Sequence, residues 1–164
     1  MNAAMLTDEG EQRRVDEARS WLEKVRKAVG YARRLEASAK ASYQRADGLK
    51  GIDYSKPFVK SSPYADAIPD AIAADEAIGD TLSAIAADAR DKVDEASRAI
   101  HRLDDKTEAT CLHLYYVDAY DTWERVCVEM GYSYDGMMKL SRRALLHAYD
   151  VMPHGERSPM QPAI

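Results

Sequence analysis

The sequence is short of the large apolar residues that build a thick core, since its 164 residues include only one Phe and two Trp. Alanine is abundant instead, and charged residues make up 31% of the chain. This composition favours helices that meet along thin seams over a sheet that packs around large side chains. The length allows one domain or two small ones, and we expect an all-α fold.

Long apolar runs and clustered cysteines are also missing. No apolar stretch approaches the roughly 18 residues of a transmembrane helix, so we expect no membrane partner. The first residues lack a basic segment followed by an apolar one, so we expect no secretory signal. Cys111 and Cys127 form no CxxC motif, which fits a reduced, cytosolic protein.

Motifs for catalysis or metal binding are absent as well. Cys111 and His113 have the spacing of half a metal site, but no second half exists, and a pair of buried small cysteines is the simpler interpretation. None of His101, His113 and His147 has a Ser, Cys or carboxylate partner at a spacing typical of a catalytic or metal site. No Gly-rich phosphate loop or nucleophile motif is present, so we expect no enzyme, no metal and no cofactor.

The net charge of −5 is unevenly distributed along the chain. Residues 1–50 carry eleven Lys/Arg against eight Asp/Glu, residues 51–104 carry six against eleven, and residues 105–164 carry six against nine. This distribution excludes the broad basic field of a strong non-specific nucleic-acid binder.

Two long helices are predicted from apolar residues at three- and four-residue steps, one from about Glu11 to Arg45 and one from Pro69 or Asp70 to Leu103. The seam residues are Val15, Ala18, Leu22, Val25, Val29 and Ala32 in the first helix, and Ile78, Leu82, Ile85, Ala89, Ala96, Ile100 and Leu103 in the second. Because neither seam is stable in water, we expect a long antiparallel, coiled-coil-like hairpin over residues 1–104, with Leu22 and Leu82 in one core. A homodimer through the long helices would double it into a four-helix arrangement.

The stretch DGLKGIDYSKPFVKSSPYADAIPDA joins the two long helices. It contains two Gly, three Pro and no steady apolar period, which indicates a connector near residues 47–68. Either a surface loop or an ordered partner-binding loop fits this composition.

A helix-turn-helix unit is predicted over residues 105–150, followed by a flexible tail over residues 151–164. The segment TEATCLHLYYVDAY forms a first helix, and Asp121-Thr-Trp-Glu124 has the spacing of a capping box for the next. Gly131 suits a left-handed turn, and Ser133 suits the N-cap of the last helix. The residues predicted to point inward from that helix are Met137, Leu140, Ala144 and Ala148.

The last helix is predicted to be the recognition helix of this unit, because its only formal charges from Gly136 to Tyr149 are basic. The partner is then double-stranded DNA. The predicted DNA-binding residues are Ser133, Tyr134, Asp135, Met138, Lys139, Arg142 and Arg143. Arg142 and Arg143 also fit a solvated surface that compensates the helix dipole. Tyr115, Tyr116, Tyr120 and Tyr132 are expected in the core or at its rim rather than in base stacking.

The segment CLHLYYVDAYDTWERVCVEMGYSYDGMMKLSRRALLHAY resembles region four of bacterial sigma factors. It is similar above all to small phage and prophage transcriptional regulators that carry such a region behind two helices. Residues 122–127 match part of the pattern s-w-e-e-I-A, residues 130–133 match its hydrophobic-Gly-aromatic-Ser turn, and residues 142–145 match r-r-A-L. The resemblance implies a regulator of phage gene transcription in the cytoplasm of a bacterial host cell, which docks promoter DNA and contacts RNA polymerase.

The sequence departs from this family at several positions. Sigma regions often carry Arg where Tyr115 stands and a basic residue where Met138 stands, which leaves fewer groups for base contacts. Helix-turn-helix units also serve as protein-contact domains. The alternative function is therefore a helical adaptor or a structural, packaging component of a phage, which uses the same unit to bind protein.

Overall fold

The computed structural model describes residues 3–51 and 67–158, with side chains from residue 8 onward in the first range. Its elements are helix α1 (Ala3–Lys50), α2 (Ile68–His101), α3 (Lys106–Leu112), a π-helical turn (His113–Val117), α4 (Trp123–Met130), α5 (Tyr134–Val151) and a 3-10 turn (His154–Glu156). The described residues contain no β-strand, and the predicted all-α fold is confirmed as a long antiparallel helix pair followed by a helix-turn-helix unit. Within these ranges, none of the helices has the length and apolarity needed to cross a membrane.

The chain divides into two compact units, and both long helices run through both. Of the described residues, the first unit contains 3–30 and 91–158, and the second contains 31–51 and 67–90. The helix-turn-helix therefore belongs to the same compact unit as the adjoining ends of α1 and α2. These units cut across the predicted segments 1–104 and 105–150, because the core of the first unit draws on both.

The core of the first unit joins α1 and α2 to the helices that follow them. Its buried residues are Val15, Ala18, Trp21, Leu22, Val25, Val29, Val93, Ala96, Ala99, Ile100, Leu103, Ala109, Leu112, Tyr116, Ala144, Leu145, Ala148 and Met152. All six predicted seam residues of α1 are buried, including Ala32 in the second unit, so this prediction is confirmed. The three- and four-residue steps were sufficient to predict these buried residues, because the apolar face of α1 is covered along the whole seam.

The predicted seam of α2 is wrong over its first half. Ile78 and Ile85 are 48% and 41% exposed, and Leu82 is half-buried, whereas Gly79 and Ala86 are buried. The expected common core of Leu22 and Leu82 is also absent, because the two residues lie in different units. In the second half of α2, the predicted residues Ala89, Ala96 and Ile100 are buried, and so is Leu103, which lies two residues after the helix ends.

Close packing of a tyrosine against a glycine explains the shift of the buried face of α2. A Cβ atom on Gly79 would lie 2.7 Å from Cε1 of Tyr43 on α1, so no larger residue fits against this ring. The ring is held in place because its hydroxyl donates a 2.7 Å hydrogen bond to Asp80. The buried face of α2 is therefore centred on Gly79, and Ile78 is turned outward.

Ion pairs also join the two helices of the second unit. Arg45 lies 3.0 Å from Asp75, and Arg90 lies 2.8 Å from Glu36. Both pairs reach solvent, with Asp75 the least exposed of the four side chains at 19%, so each contributes only about 0–1 kcal/mol to stability. They follow the basic character of α1 and the acidic character of α2.

The remaining predictions concern the connector and the tail. Most of the predicted connector, residues 52–66, lies outside the described residues. Part of the predicted tail makes contacts within the first unit, since Met152 is buried and Glu156 accepts a 2.8 Å hydrogen bond from Lys24.

Candidate nucleic-acid interface

The turn between α4 and α5 has the geometry that the sequence predicted. Gly131 has φ 71° and ψ 32°, the left-handed conformation in which a side chain would be strained. The amide of Tyr132 donates a 3.0 Å hydrogen bond to the carbonyl of Cys127, the six-to-one bond of a Schellman motif. Ser133 then caps α5, because its hydroxyl accepts a 3.2 Å hydrogen bond from the amide of Gly136. The predicted turn and the predicted N-cap are both confirmed.

The predicted capping box at the start of α4 is wrong. Thr122, not Asp121, is the N-cap, and its hydroxyl accepts a 3.4 Å hydrogen bond from the amide of Arg125. Glu124 therefore occupies the second helical position, where it cannot complete a capping box with Asp121. The carboxylate of Asp121 instead lies 3.1 Å from the guanidinium of Arg125.

A small core lies between these helices and holds α5 in place. Its buried residues are Cys111, Val126, Cys127, Met137 and Leu140. The sulfur of Cys111 lies 3.5 Å from the sulfur of Met137, and burial raises the pKa of the Cys111 thiol to about 12. Both cysteines are free thiols within this core, so they act here as small packing residues.

The predicted DNA-binding residues lie on the outer side of α5 and its cap. Lys139 and Asp135 are exposed, Tyr134 is 50% exposed, and Met138 is half-buried against the small core. Ser133, Arg142 and Arg143 are also exposed. The predicted inward residues of α5, Met137, Leu140, Ala144 and Ala148, are all buried.

Arg142 is engaged by the beginning of α1. Its guanidinium donates a 3.2 Å hydrogen bond to the amide oxygen of Gln12 and lies 3.7 Å from the carboxylate of Asp8. The sequence did not predict this contact, because the partners are separated by more than a hundred residues. The contact places an acidic side chain beside the basic part of α5.

Arg143 belongs to a polar cluster that ties α5 to α3. Its guanidinium is hydrogen-bonded to Glu108 and lies 3.2 Å from Asp105, and the bond to Glu108 raises the pKa of Arg143. Nδ1 of His147 lies 2.6 Å from the same carboxylate. Glu108 is only 1% exposed, which is unusual for a charged residue and marks this cluster as structural.

Asp105 completes this cluster from the N-terminus of α3. Its carboxylate accepts hydrogen bonds of 2.8 Å and 3.3 Å from the amides of Thr107 and Glu108. These two bonds, together with the nearby charge of Arg143, hold the pKa of Asp105 below its ordinary value of 3.8. The first helix of the unit is therefore both capped and linked to α5 by one carboxylate.

Lys139 is the cation of α5 that these contacts leave available. None of the residues that the structure describes forms an ion pair with it. It lies on the exposed side near the N-terminal end of the helix, the part that contacts base edges in helix-turn-helix proteins.

Tyr115 has a packing role that the sequence did not reveal. Its ring stacks on Trp123, with centroids 3.9 Å apart and planes inclined by 11°. The guanidinium of Arg26 lies 4.1 Å from the centre of the same ring. The ring of Tyr115 thus joins α1 to α4.

Exposed apolar residues surround the turn of the unit. Val128 is 84% exposed on α4, and Tyr132 is 41% exposed directly after Gly131. With Tyr134, they give this edge of the unit an apolar character, which suits contact with a protein.

Comparison with known proteins adds no relative: no family model, no curated protein and no solved structure matches this chain.

Proposed function

We propose that this protein is a DNA-binding transcriptional regulator of phage type, which acts in the cytoplasm of a bacterial host cell and uses α5 as its recognition helix. One observation carries the proposal: a capped short helix, a left-handed glycine turn and a longer capped helix leave Lys139 exposed and without an ion pair among the described residues. This is the arrangement in which a helix-turn-helix enters the major groove. The resemblance of residues 111–149 to sigma region four supports the same function, with RNA polymerase as a second partner.

The contacts of the described residues narrow the set of side chains that meet DNA. Lys139 meets base acceptors near the N-terminal end of α5, and Met138 offers apolar contact to a thymine methyl group. Asp135 either orients Lys139 or accepts a hydrogen bond from the amino group of a cytosine. Arg142 meets a phosphate after leaving Gln12 and Asp8, while Arg143 stays bonded to Glu108 and holds the helix in position.

The test is a binding assay with Lys139→Ala on the preferred duplex, selected from random sequences, and on random duplex. We expect a loss of about 1–3 kcal/mol on the preferred duplex and a relaxed preference at one base pair. Lys27→Ala is the matched control, because Lys27 is an exposed lysine of α1 outside the helix-turn-helix. If the Lys139 variant binds each of the two duplexes as tightly as the parent does, α5 does not contact bases through Lys139.

Arg142→Ala separates phosphate contact from base contact. The variant is expected to weaken all sequences alike and to lower the slope of log affinity against log salt by about one unit. If the slope is unchanged over roughly 50–200 mM salt, Arg142 does not contact a phosphate of the duplex.

A second function, protein contact by a helical adaptor or packaging component, is favoured by a different observation. Arg142 and Arg143 both pair with acids of their own chain, and Val128 and Tyr132 expose apolar surface beside the turn. A ring of many subunits in solution would support packaging, whereas a monomer or dimer would support regulation. Val128→Asp is expected to leave DNA binding unchanged if the regulator hypothesis holds.

A further inference from the structure

The second unit exposes an apolar stripe on α2 that no seam of the hairpin uses. Ile78 and Ile85 are 48% and 41% exposed, and Leu82 between them is half-buried. Steps of four and three residues place all three on one side of the helix. Ala77, Ile78, Thr81 and Leu82 line a shallow groove of about 260 Å³ on this surface. Exposed aliphatic side chains at helical spacing are typical of a surface that another helix covers.

Apolar residues of α1 continue this stripe across the second unit. Tyr31 is 46% exposed and Leu35 is half-buried, and their four-residue spacing places them on one side of α1. Tyr31 and Arg45 are fourteen positions apart on α1, and Asp75 and Leu82 are seven positions apart on α2. Because seven residues make almost two full turns, the two residues of each pair lie on the same side of their helix. Since Arg45 pairs with Asp75, the two stripes lie on the same side of the hairpin. We call this surface, formed by Tyr31, Leu35, Ile78, Leu82 and Ile85, the apolar face.

Charge indicates what covers the apolar face. Residues 31–50 of α1 carry five Lys/Arg against two Asp/Glu, a net charge of +3. Residues 68–90 of α2 carry one Arg against five Asp/Glu, a net charge of −4. Arg45, Lys50 and Arg90 already pair with acids of the facing helix, and the net charges that remain match α2 to a basic covering helix and α1 to an acidic one. A second copy of the hairpin offers both when it is rotated by half a turn, because α1 of each copy then meets α2 of the other.

Interface size also favours a second hairpin. A stable protein interface buries about 800 Å² on each partner, more than three side chains of one helix provide. The apolar face extends over both helices of the unit, so a hairpin fits it better than a single short peptide does. We propose that the apolar face binds a second copy of this chain and forms a four-helix, two-fold symmetric dimer. This inference does not depend on DNA binding.

The test compares the parent with the double variant Ile78→Asp/Ile85→Asp by sedimentation equilibrium over a range of concentrations. We expect the parent to have twice the chain mass of 18.3 kDa, and the variant to dissociate with a constant raised about 100-fold or more. Circular dichroism of the variant is expected to keep the helical signal, because both isoleucines are exposed in the single chain.

Ala77→Asp/Ala84→Asp is the matched control, because it adds the same charge at the same spacing on exposed positions beside the stripe. We expect it to remain dimeric. Leu35→Asp places its charge on the other helix of the apolar face and is also expected to favour the monomer. A monomeric parent, an assembly larger than a dimer, or an Ile78→Asp/Ile85→Asp variant that stays dimeric would each overturn the proposal.

Salt tests the arrangement of the helices within the dimer. Because α1 of one copy meets the oppositely charged α2 of the other, added salt should weaken the dimer by screening. A dimer that tightens with salt would mean that the like-charged helices meet instead, which contradicts the proposed rotation.

Discussion

The guanidinium of Arg26 lies 4.1 Å from the ring centre of Tyr115 and also donates a 2.8 Å hydrogen bond to the carbonyl of the same residue. A second nitrogen of Arg26 donates a 3.3 Å bond to the carbonyl of Asp121. One side chain of α1 therefore contacts both ends of the connection between α3 and α4. The helix-turn-helix is fixed to α1 by a polar contact as well as by the shared core.

Replacing Arg26 by Ala is expected to destabilise the first unit by about 1–3 kcal/mol, because charged hydrogen bonds and a cation–π contact are lost together. Urea unfolding followed by far-UV circular dichroism measures this loss. Amide exchange in α4 should also become faster. Lys27→Ala removes an exposed neighbouring charge and should change stability by no more than about 0.5 kcal/mol. Equal effects of the two changes would contradict the role of Arg26.

Glu108 and Arg143 should respond unequally to mutation. Arg143→Met leaves the buried carboxylate of Glu108 without its guanidinium and is expected to lower the free energy of unfolding. Glu108→Gln removes the buried charge itself and should cost less, because the desolvation penalty is lost along with the ion pair. Urea unfolding of both variants measures which of the two changes lowers the free energy of unfolding more.

Arg142→Met is the control for this pair, because the partners of Arg142 are exposed and their loss should change stability by no more than about 0.5 kcal/mol. If Glu108→Gln lowers stability more than Arg143→Met does, the carboxylate contributes more than the guanidinium that it binds, and the desolvation penalty of Glu108 does not set the order.

Gly131→Ala is expected to destabilise the protein by about 1–2 kcal/mol, because a Cβ atom is strained in the left-handed conformation. Space is not the limitation, since nothing lies within 4 Å of the position of that Cβ. Gly10→Ala is the matched control, because Gly10 lies inside α1 with similar space around it. The control should gain about 0.5–1 kcal/mol from better helix propensity. Thermal or urea unfolding that gives the two changes the same sign would refute the assigned turn.

Asp105 should make the stability of the first unit depend on pH under acidic conditions. Its pKa lies below the ordinary value of 3.8 in the folded protein, chiefly because the amides of Thr107 and Glu108 donate to its carboxylate. The unfolded chain therefore binds the proton more tightly, and this contribution is present above the unfolded pKa and lost as pH falls through the folded pKa. Unfolding measured between about pH 5 and pH 2 should show a smaller loss for Asp105→Asn, which keeps an N-cap side chain without the charge.

Asp104→Asn is the control for this titration, because Asp104 is an exposed aspartate next in sequence to Asp105. It should lose stability with falling pH as the parent does. Identical pH profiles for Asp105→Asn and the parent would show that the cap does not depend on ionisation.

Local features of the fold were determined by the sequence alone. The seam from Val15 to Ala32, the N-cap at Ser133 and the left-handed turn at Gly131 all depend on residues within a few positions of one another. Such features need only the period of a helix and the conformational preference of one residue. The outward position of Lys139 followed from the same period.

Other features were decided by contacts between distant parts of the chain. The ring of Tyr43 shifted the buried face of α2 onto Gly79, and the bonds of Gln12 to Arg142 and of Glu108 to Arg143 engaged two of the three basic residues of α5. A local sequence pattern cannot predict these contacts, because the two residues of each contact are at least thirty-five positions apart in the sequence. Periodicity determines which side of a helix is apolar, but the shape and charge of the facing helix determine which of those side chains are buried.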